Sequence, residues 1–569
     1  MHSTTGYAGR AFKALALLAA IALSACSGGG EAGKAGGGPE ALAITYPATD
    51  YFEQAAGTPG GTLKVSVQSD TGQLDLHAIS HTNAQWLGRL IFDNLVYLDD
   101  QGRPTPWLAK SWTISPDGLT YTFHLRDDVT FSDGTRFDAE AVRVNLEHMR
   151  DPATKSPLAA AYIAPYVDGR VVDPFTFEAR LREPYAPFLN VLAQSWLSMQ
   201  SPKAILERPR EIGLKPVGSG PFVVESYTRQ QGIRLKRRAD YDWAPDFLRH
   251  KGPAYLERVE IDFVPEAMTR YASLASGEYG LTIDAPVQNA AAIRADSRLV
   301  LDNRVRTGIP TTGLTFNTEK PPFDDVVVRQ ALALAVDRDA MVRAIRFGEV
   351  RVKTDFLASN TRDYDPAFAG ALAYDPAKAN ALLDQAGWTG RDAAGFRTKN
   401  GQRLGAQVTL SDQGFSTPVI VAIQSDLKRV GFDLKIVQLP LAQVTERRLA
   451  NDYQALGLGV WHTNTPDALY ILFQSNEIPS DRRIGQNSAR LRDPQLDDLL
   501  ARARRSQDEA ERKGLYSQAQ QRLTELVPSI PLFENHTIVA YSKAVKGLTF
   551  DTSHNTPVFT TAWLDGAKK

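Results

Sequence analysis

One cysteine, Cys26, is all that a chain of 569 residues contains, and that scarcity excludes a good deal. No disulfide framework can brace the fold, no thiol in the body of the chain can act as a nucleophile, and no cysteine cluster can hold zinc. Charge of one sign is equally scarce: 64 Lys and Arg stand against 65 Asp and Glu, for a net charge of -1. Nucleic-acid binding draws on a cationic surplus facing the phosphates, so a nucleic-acid partner is not expected. Beyond residue 25 no apolar run approaches the roughly 20 residues that a membrane-spanning helix needs. Neither H-E-x-x-H nor G-x-S-x-G occurs, which removes two common hydrolase signatures. Carboxylates are plentiful, so a hydrolase built on an Asp/Glu pair stays open as an alternative.

What is present starts at the cysteine itself. Arg10 and Lys13 precede a run from Ala14 to Ala25 that is apolar except for Ser24. About a dozen such residues make the apolar core of an export signal and are too few to span a bilayer. The tetrad Leu23-Ser24-Ala25-Cys26 resembles the lipobox of bacterial lipoproteins, which implies cleavage after residue 25 and a diacylglyceryl group on the Cys26 sulfur. Residues 1–25 are then a signal peptide, and the protein is exported and lipid-anchored to the cell membrane or the periplasmic side of a bacterial envelope. Residues 26–59 are rich in Gly and Ala and lack hydrophobic periodicity, the composition of a spacer. Gly28, Gly30 and Gly33 fit a dinucleotide fingerprint there, but without a preceding strand and a following helix the match is a coincidence.

Hydrophobic residues make up 43% of the sequence, enough for a chain this long to bury more than one core. Leu63, Val65 and Val67 alternate with Thr62, Lys64 and Ser66, the period of a strand. Tyr121, Phe123 and Leu125 alternate likewise ahead of Asp133-Gly134, which predicts a hairpin. Asp138 is placed to cap a helix with Glu140 in its first turn and Val142, Leu146 and Met149 on one face. "VVVRQALALAVDRDAMVRAI" reads as helix with a break near Asp337, and Asp375 followed by Pro376 opens another helix that ends at Gly387. "PVIVAIQSDLKRVGFDLKIVQLP" gives a helix stopped by Gly431 and then a strand, and such repeated helix-to-strand steps indicate an α/β fold.

The runs "IFDNLVYLDDQGRPTPWLAKSW", "GSGPFVVESY", "FNTEKPPFDDVVVRQALALAVDRDAM" and "YDPAKANALLDQAGW", in that order, closely resemble the extracellular solute-binding proteins of the dipeptide, oligopeptide and nickel family. The resemblance implies a two-lobed α/β clamshell of the type II periplasmic-binding-protein kind, with an extra subdomain on the first lobe. It implies the solute-binding component of an ATP-binding-cassette importer, a monomer without cofactor or catalytic residues, handing a peptide or peptide-like solute to a membrane permease. A sugar, an opine or a metal chelate is the alternative cargo, and a surface sensor or adhesin an alternative use of the fold. Lobe I is expected over 60–80, 217–309 and 530–569, the extra subdomain over 81–216 and lobe II over 310–529. The crossings are placed near 309–314 and 528–533.

In peptide-binding relatives a Trp is followed three residues later by an Asp that holds the ligand's amino group. The matching segment "GLGVWHTNTPDALY" sets Trp461 on that Trp but puts Asn464 in the amine-binding place, with Asp467 as the nearest acid. An amide accepts a hydrogen bond from an ammonium yet cannot neutralise it, so recognition of a peptide N-terminus is in question. Backbone groups of His462 and Thr463 are expected to be able to pair with an extended ligand. On the first lobe, Ser80, His81, Thr82 and Asn83 are candidate ligand contacts, with helix capping by Thr82 or Asn83 as the competing role. His81 and His462 alone are too few donors for a metal, so none is expected.

The tether generates the first prediction. Cys26→Ala will move the protein from the membrane fraction to a soluble or unprocessed form and leave the stability of the purified body unchanged, as fractionation and denaturation will show. A mutant that stays membrane-bound with normal processing contradicts the lipid anchor.

Overall fold

Strands covered on both faces organise the first lobe. Thr62–Val67 lies inside a seven-stranded sheet, pairing in parallel with Arg258–Phe263 on one side and Leu281–Ile283 on the other. Leu63, Val65 and Val67 are buried as their alternation predicts, and Ser66 is buried too because the sheet's other face is also covered. Antiparallel strands complete the sheet: Gly232–Arg237 and Phe222–Thr228 at one edge, His536–Ser542 and Leu299–Val305 at the other. The computed structural model describes residues 56–99, 102–246, 248, 250–411, 416–480 and 485–566. The signal peptide, Cys26 and most of the expected linker lie outside the described residues. Among the described residues no helix is long and apolar enough to cross a membrane.

A second sheet of five strands runs Asp433–Leu439, Gly405–Ser411, Ala455–His462, Gly308–Phe316 and Ser529–Phe533. Its helices start where local chemistry dictates. The Asp337 carboxylate accepts the Ala340 N–H at 2.9 Å to open Arg338–Arg346, and Asp375 accepts that of Lys378 at 2.8 Å to open Pro376–Gln385. Ser416–Arg429 ends just before Gly431, whose φ of 87° lets the chain reverse into Asp433–Leu439.

The extra subdomain is a four-stranded antiparallel sheet, Ala109–Ile114, Thr120–Leu125, Thr176–Leu181 and Tyr166–Asp173, with helix Ala139–Arg150 capped by Asp138. Thr120–Leu125 pairs with its two sheet neighbours. The turn at Asp133-Gly134 exists but closes only a single bridge, Thr130 to Arg136, in place of the predicted hairpin. One apolar core runs unbroken from Val65 to Phe123, Leu146 and Trp196, so the subdomain is fused to the first lobe. The second lobe has its own core around Leu314, Leu332, Val408, Leu427 and Leu523.

The chain changes sheet at Arg306 and Thr307, between Leu299–Val305 and Gly308–Phe316, and returns at Glu534 and Asn535. Both points lie outside the segments 309–314 and 528–533 where the crossings were expected. Ile309, Leu314, Ile530 and Leu532 are buried apolar residues of the second lobe, and the hand-over falls to polar residues that can pair with one another. The Arg306 N–H donates to the Asn535 carbonyl at 2.7 Å, and the Asn535 amide donates to the Ile309 carbonyl at 3.0 Å.

Helix Ala84–Ile91 carries a buried cation, Arg89, that fixes the C-terminal segment. Its Nε lies 2.6 Å from Asp551 Oδ2, and its other nitrogens donate to Asn94 Oδ1 and the Ala193 carbonyl at 2.6 Å each. Removing one partner of such a pair leaves an uncompensated buried charge, which costs about 3–5 kcal/mol. Asp551→Asn should therefore lower unfolding free energy by that order in urea titrations, whereas an exposed pair such as Arg180 with Asp168 should be nearly silent when Asp168 is replaced by Asn.

Candidate functional site

Strand Ala455–His462 ends against the first crossing, with Gly308 opposite His462 and Ile309 opposite Trp461. Gly308 has φ 114°, and a Cβ there would sit 2.5 Å from the Trp461 carbonyl, so only glycine lets the strands come this close. That approach delivers Trp461 and His462 to the seam between the lobes, where Trp461 packs against both cores. Tyr162 of the first lobe meets Trp461 edge-on at 6.2 Å, and its hydroxyl donates to the His462 carbonyl. The His462 carbonyl is thus already taken in this arrangement and is not open to an added ligand strand.

Asn464 and Asp467 also serve the seam. The Asn464 amide donates to the Asn190 carbonyl at 2.7 Å and approaches Ser553 Oγ at 3.4 Å, so this side chain ties second lobe to first. Asp467, expected as the nearest acid to a ligand, is fully buried, accepts from the Tyr185 hydroxyl at 3.0 Å and lies 3.3 Å from Arg504 Nε. Burial pushes its carboxyl up and Arg504 opposes that rise. Its charge is committed to Arg504, which leaves it unsuited to hold a solute's ammonium. Thr463 is fully buried beside them.

The first-lobe loop is arranged differently from its capping alternative. Ser80 is exposed, and Thr82 is half-buried. The His81 ring accepts the Asn83 N–H at 3.1 Å through Nδ1 and contacts Ser69 Oγ at 3.2 Å through Nε2. Asn83 spends its side chain on the Ser69 carbonyl at 2.7 Å and the Trp86 indole at 3.3 Å and makes no cap bond. Burial pushes His81 down, while Asp284 and Asp70 oppose it.

Arg306, buried at the first crossing, donates to Thr537 Oγ1 at 2.9 Å and lies 3.8 Å from Asp284. Burial, then Arg306 and His81, push His462 down to about 3, and burial, then His462 and Arg89, hold His554 well below its ordinary value. Both histidines are therefore neutral at physiological pH and offer one donor and one acceptor each.

Unpartnered polar atoms gather on both sides of this seam. Trp461 Nε1, His462 Nδ1 and Asn464 Oδ1 lack hydrogen-bond partners on the second lobe, as do the Gln194 amide, Trp196 Nε1, both His554 nitrogens, Asn555 Oδ1 and Thr556 Oγ1 on the first. The His554 ring stands edge-on to Trp196 at 5.3 Å, which joins the first-lobe members. Each such atom costs about 1–3 kcal/mol when left unpaired, so a polar partner reaching several of them at once would be favoured by their satisfaction. Sequence reasoning missed the first-lobe half. Residues 551–556 form a wholly polar run that reads as a solvated turn, yet all six are buried. The one local cue is that the run carries no Lys, Arg or Glu, the long charged side chains of exposed loops.

The sequence profile described as "Bacterial extracellular solute-binding proteins, family 5 Middle" matches residues 103–478. The glutathione-binding protein GsiB of Escherichia coli O1:K1 / APEC is 30% identical over 495 residues, covering 85% of this chain and 91% of its own. Among solved structures, the ABC transporter-associated periplasmic binding protein DppA from Helicobacter pylori in complex with peptide STSA is similar with a TM-score of 0.73 and 26% identity, over 89% of this chain and 99% of that one. AgaA from A. tumefacien R10, in complex with agropinic acid, gives a TM-score of 0.72 at 25% identity over 89% and 99%.

The depressed His462 yields a pH prediction. Its unfolded form takes up a proton near pH 6.5 and its folded form only near 3, so the stability from keeping it neutral is present above 6.5 and is lost as pH falls toward 3. His462→Gln should flatten the loss of stability between pH 6.5 and 5 by at most about 1.4 kcal/mol per pH unit, measured by urea midpoints. An unchanged slope contradicts the enclosed, neutral imidazole.

Proposed function

The chain belongs to the bacterial extracellular solute-binding proteins of family 5, and from that membership we propose that it is the solute-binding component of an ATP-binding-cassette importer. It captures a peptide or peptide-like solute between its lobes and presents the closed form to a membrane permease. It works as a monomer without catalysis, tethered by the acylated Cys26. The observation that carries this reading is the set of unpartnered polar atoms contributed by both lobes to one seam. A solute that satisfies atoms on both sides binds the closed form better than the open one, and only such differential affinity can drive closure.

Trp461, His462 and Asn464 from one lobe, with His81 and the segment 551–556 from the other, frame the solute. Relatives named for glutathione and for a peptide complex support a peptide-like cargo. The charges refine it. Asn464 ties the lobes, Asp467 is paired with Arg504, and the seam histidines are neutral, whereas Arg306 is cationic and has one acid at 3.8 Å. Such a site suits a solute held by its carboxylate more than by its amino group. A second reading follows from the same observation: a carboxylated solute of opine type, the class bound in the AgaA complex.

Calorimetry with glutathione and with di- and tripeptides, each with a free and an acetylated amine, tests the charge argument. A charge-assisted hydrogen bond is worth about 1.5–3 kcal/mol, so a required ammonium would show as a difference of roughly tenfold or more between the two forms. Less than tenfold is expected between free and acetylated forms, together with a loss of tenfold or more for both in Arg306→Gln. Strict dependence on the free amine would mean that an acid such as Asp284 or Asp70 receives it.

A further inference from the structure

We propose that Asp75, His77 and His148 of the first lobe form a binding site for a divalent transition ion of the zinc class. Asp75 caps the short turn Leu76–Ala78 that contains His77, and His148 projects from helix Ala139–Arg150. Each residue offers one donor atom, and the three atoms lie within 4.8 Å of one another. Asp75 Oδ2 and His148 Nε2 are 3.0 Å apart. Two donors about 2.1 Å from a tetrahedral ion stand about 3.4 Å apart, so an ion would open this pair by only a few tenths of an ångström.

A carboxylate and an imidazole at 3.0 Å could be a hydrogen bond and nothing more, and His77 is what separates the two cases. Its Nε2 lies 2.8 Å from the Ser198 carbonyl and so must carry the proton, which leaves the lone pair on Nδ1. That Nδ1 is fully buried and has no hydrogen-bond partner. A backbone carbonyl fixing the tautomer of one ring nitrogen while the other stays open is how metal-binding histidines are held. His148 is braced in the same manner, with Thr154 Oγ1 3.1 Å from its Nδ1. Gln200 supports the third ligand by donating to Asp75 Oδ1 at 2.8 Å. Two imidazoles and one carboxylate suit Zn²⁺, Co²⁺ or Ni²⁺ and not the all-oxygen preference of Ca²⁺ or Mg²⁺. His148 and Glu147 also line a surface cavity of about 530 Å³, so one ligand of the cluster borders open space.

Chelator-stripped protein titrated with Zn²⁺ by calorimetry, and with Co²⁺ by visible absorption, tests the site. The wild type should bind one ion that His148→Ala weakens at least tenfold with loss of the Co²⁺ band, while His81→Ala, in the seam, keeps both. Equal Zn²⁺ affinity in wild type and His148→Ala, or binding lost in His81→Ala and kept in His148→Ala, overturns the proposal. The wild type also gives a readout that needs no variant. On Zn²⁺ addition the ring nitrogen resonances of His77 and His148 should both shift, and their staying in place would equally overturn it.

Discussion

The backbone hydrogen bond from Arg306 to the Asn535 carbonyl, 2.7 Å long, joins the two places where the chain passes between sheets, and the geometry of the seam follows from that pairing. Two crossings tied side by side permit rotation of one lobe on the other and little else. They hold the end of strand Ala455–His462 opposite the C-terminal segment 551–556. Gly308 sits immediately after the first crossing because the neighbouring strand's carbonyl leaves no room for a side chain. Arg306 itself is buried in the crossing, so the hinge and the cation proposed to face a solute's carboxylate are one element of structure.

Several contacts hold the lobes together without a solute. They are Asn464 to Asn190, Tyr185 to Asp467, Tyr162 to the His462 carbonyl, and the Ala186 N–H to the Arg504 carbonyl at 2.9 Å. A typical net contribution is about 1 kcal/mol per hydrogen bond, less the entropy of ordering the partners. Shifting a population from almost all open to almost all closed takes about 5.5 kcal/mol. The protein's own ties, about 4 kcal/mol before that entropy is subtracted, fall short of that gap, and in the proposed function bonds from a solute to the unpartnered seam atoms make up the difference. Neutral His462 and His554 belong to this balance, because a charged imidazole beside Arg306 would work against closure.

Much of the fold was legible because its signals are local. Asp138, Asp337 and Asp375 each accept the backbone N–H three residues on, as an N-cap does, and Gly431 takes the positive φ that stops a helix. Those choices depend on a few neighbouring residues, and the sequence displays them. The crossings were misplaced by a few residues because a strand that runs to the edge of a hinge looks the same as one that continues through it. The site was legible only in part. Trp461 and His462 reach the seam, but the roles of Asn464 and Asp467 depend on Asn190, Tyr185 and Arg504, which lie far off in the chain. The burial of 551–556 rests on Arg89, equally remote.

The central claim is that one solute sits between the lobes, touching both, and leaves unchanged. Native mass spectrometry of the protein purified gently from its own host measures this most directly. The account predicts a single small molecule per chain, released intact on unfolding and able to rebind at one per chain to the refolded or exchanged protein. A chain that never carries or binds a small molecule under these conditions, or one that returns the molecule chemically altered, would contradict it.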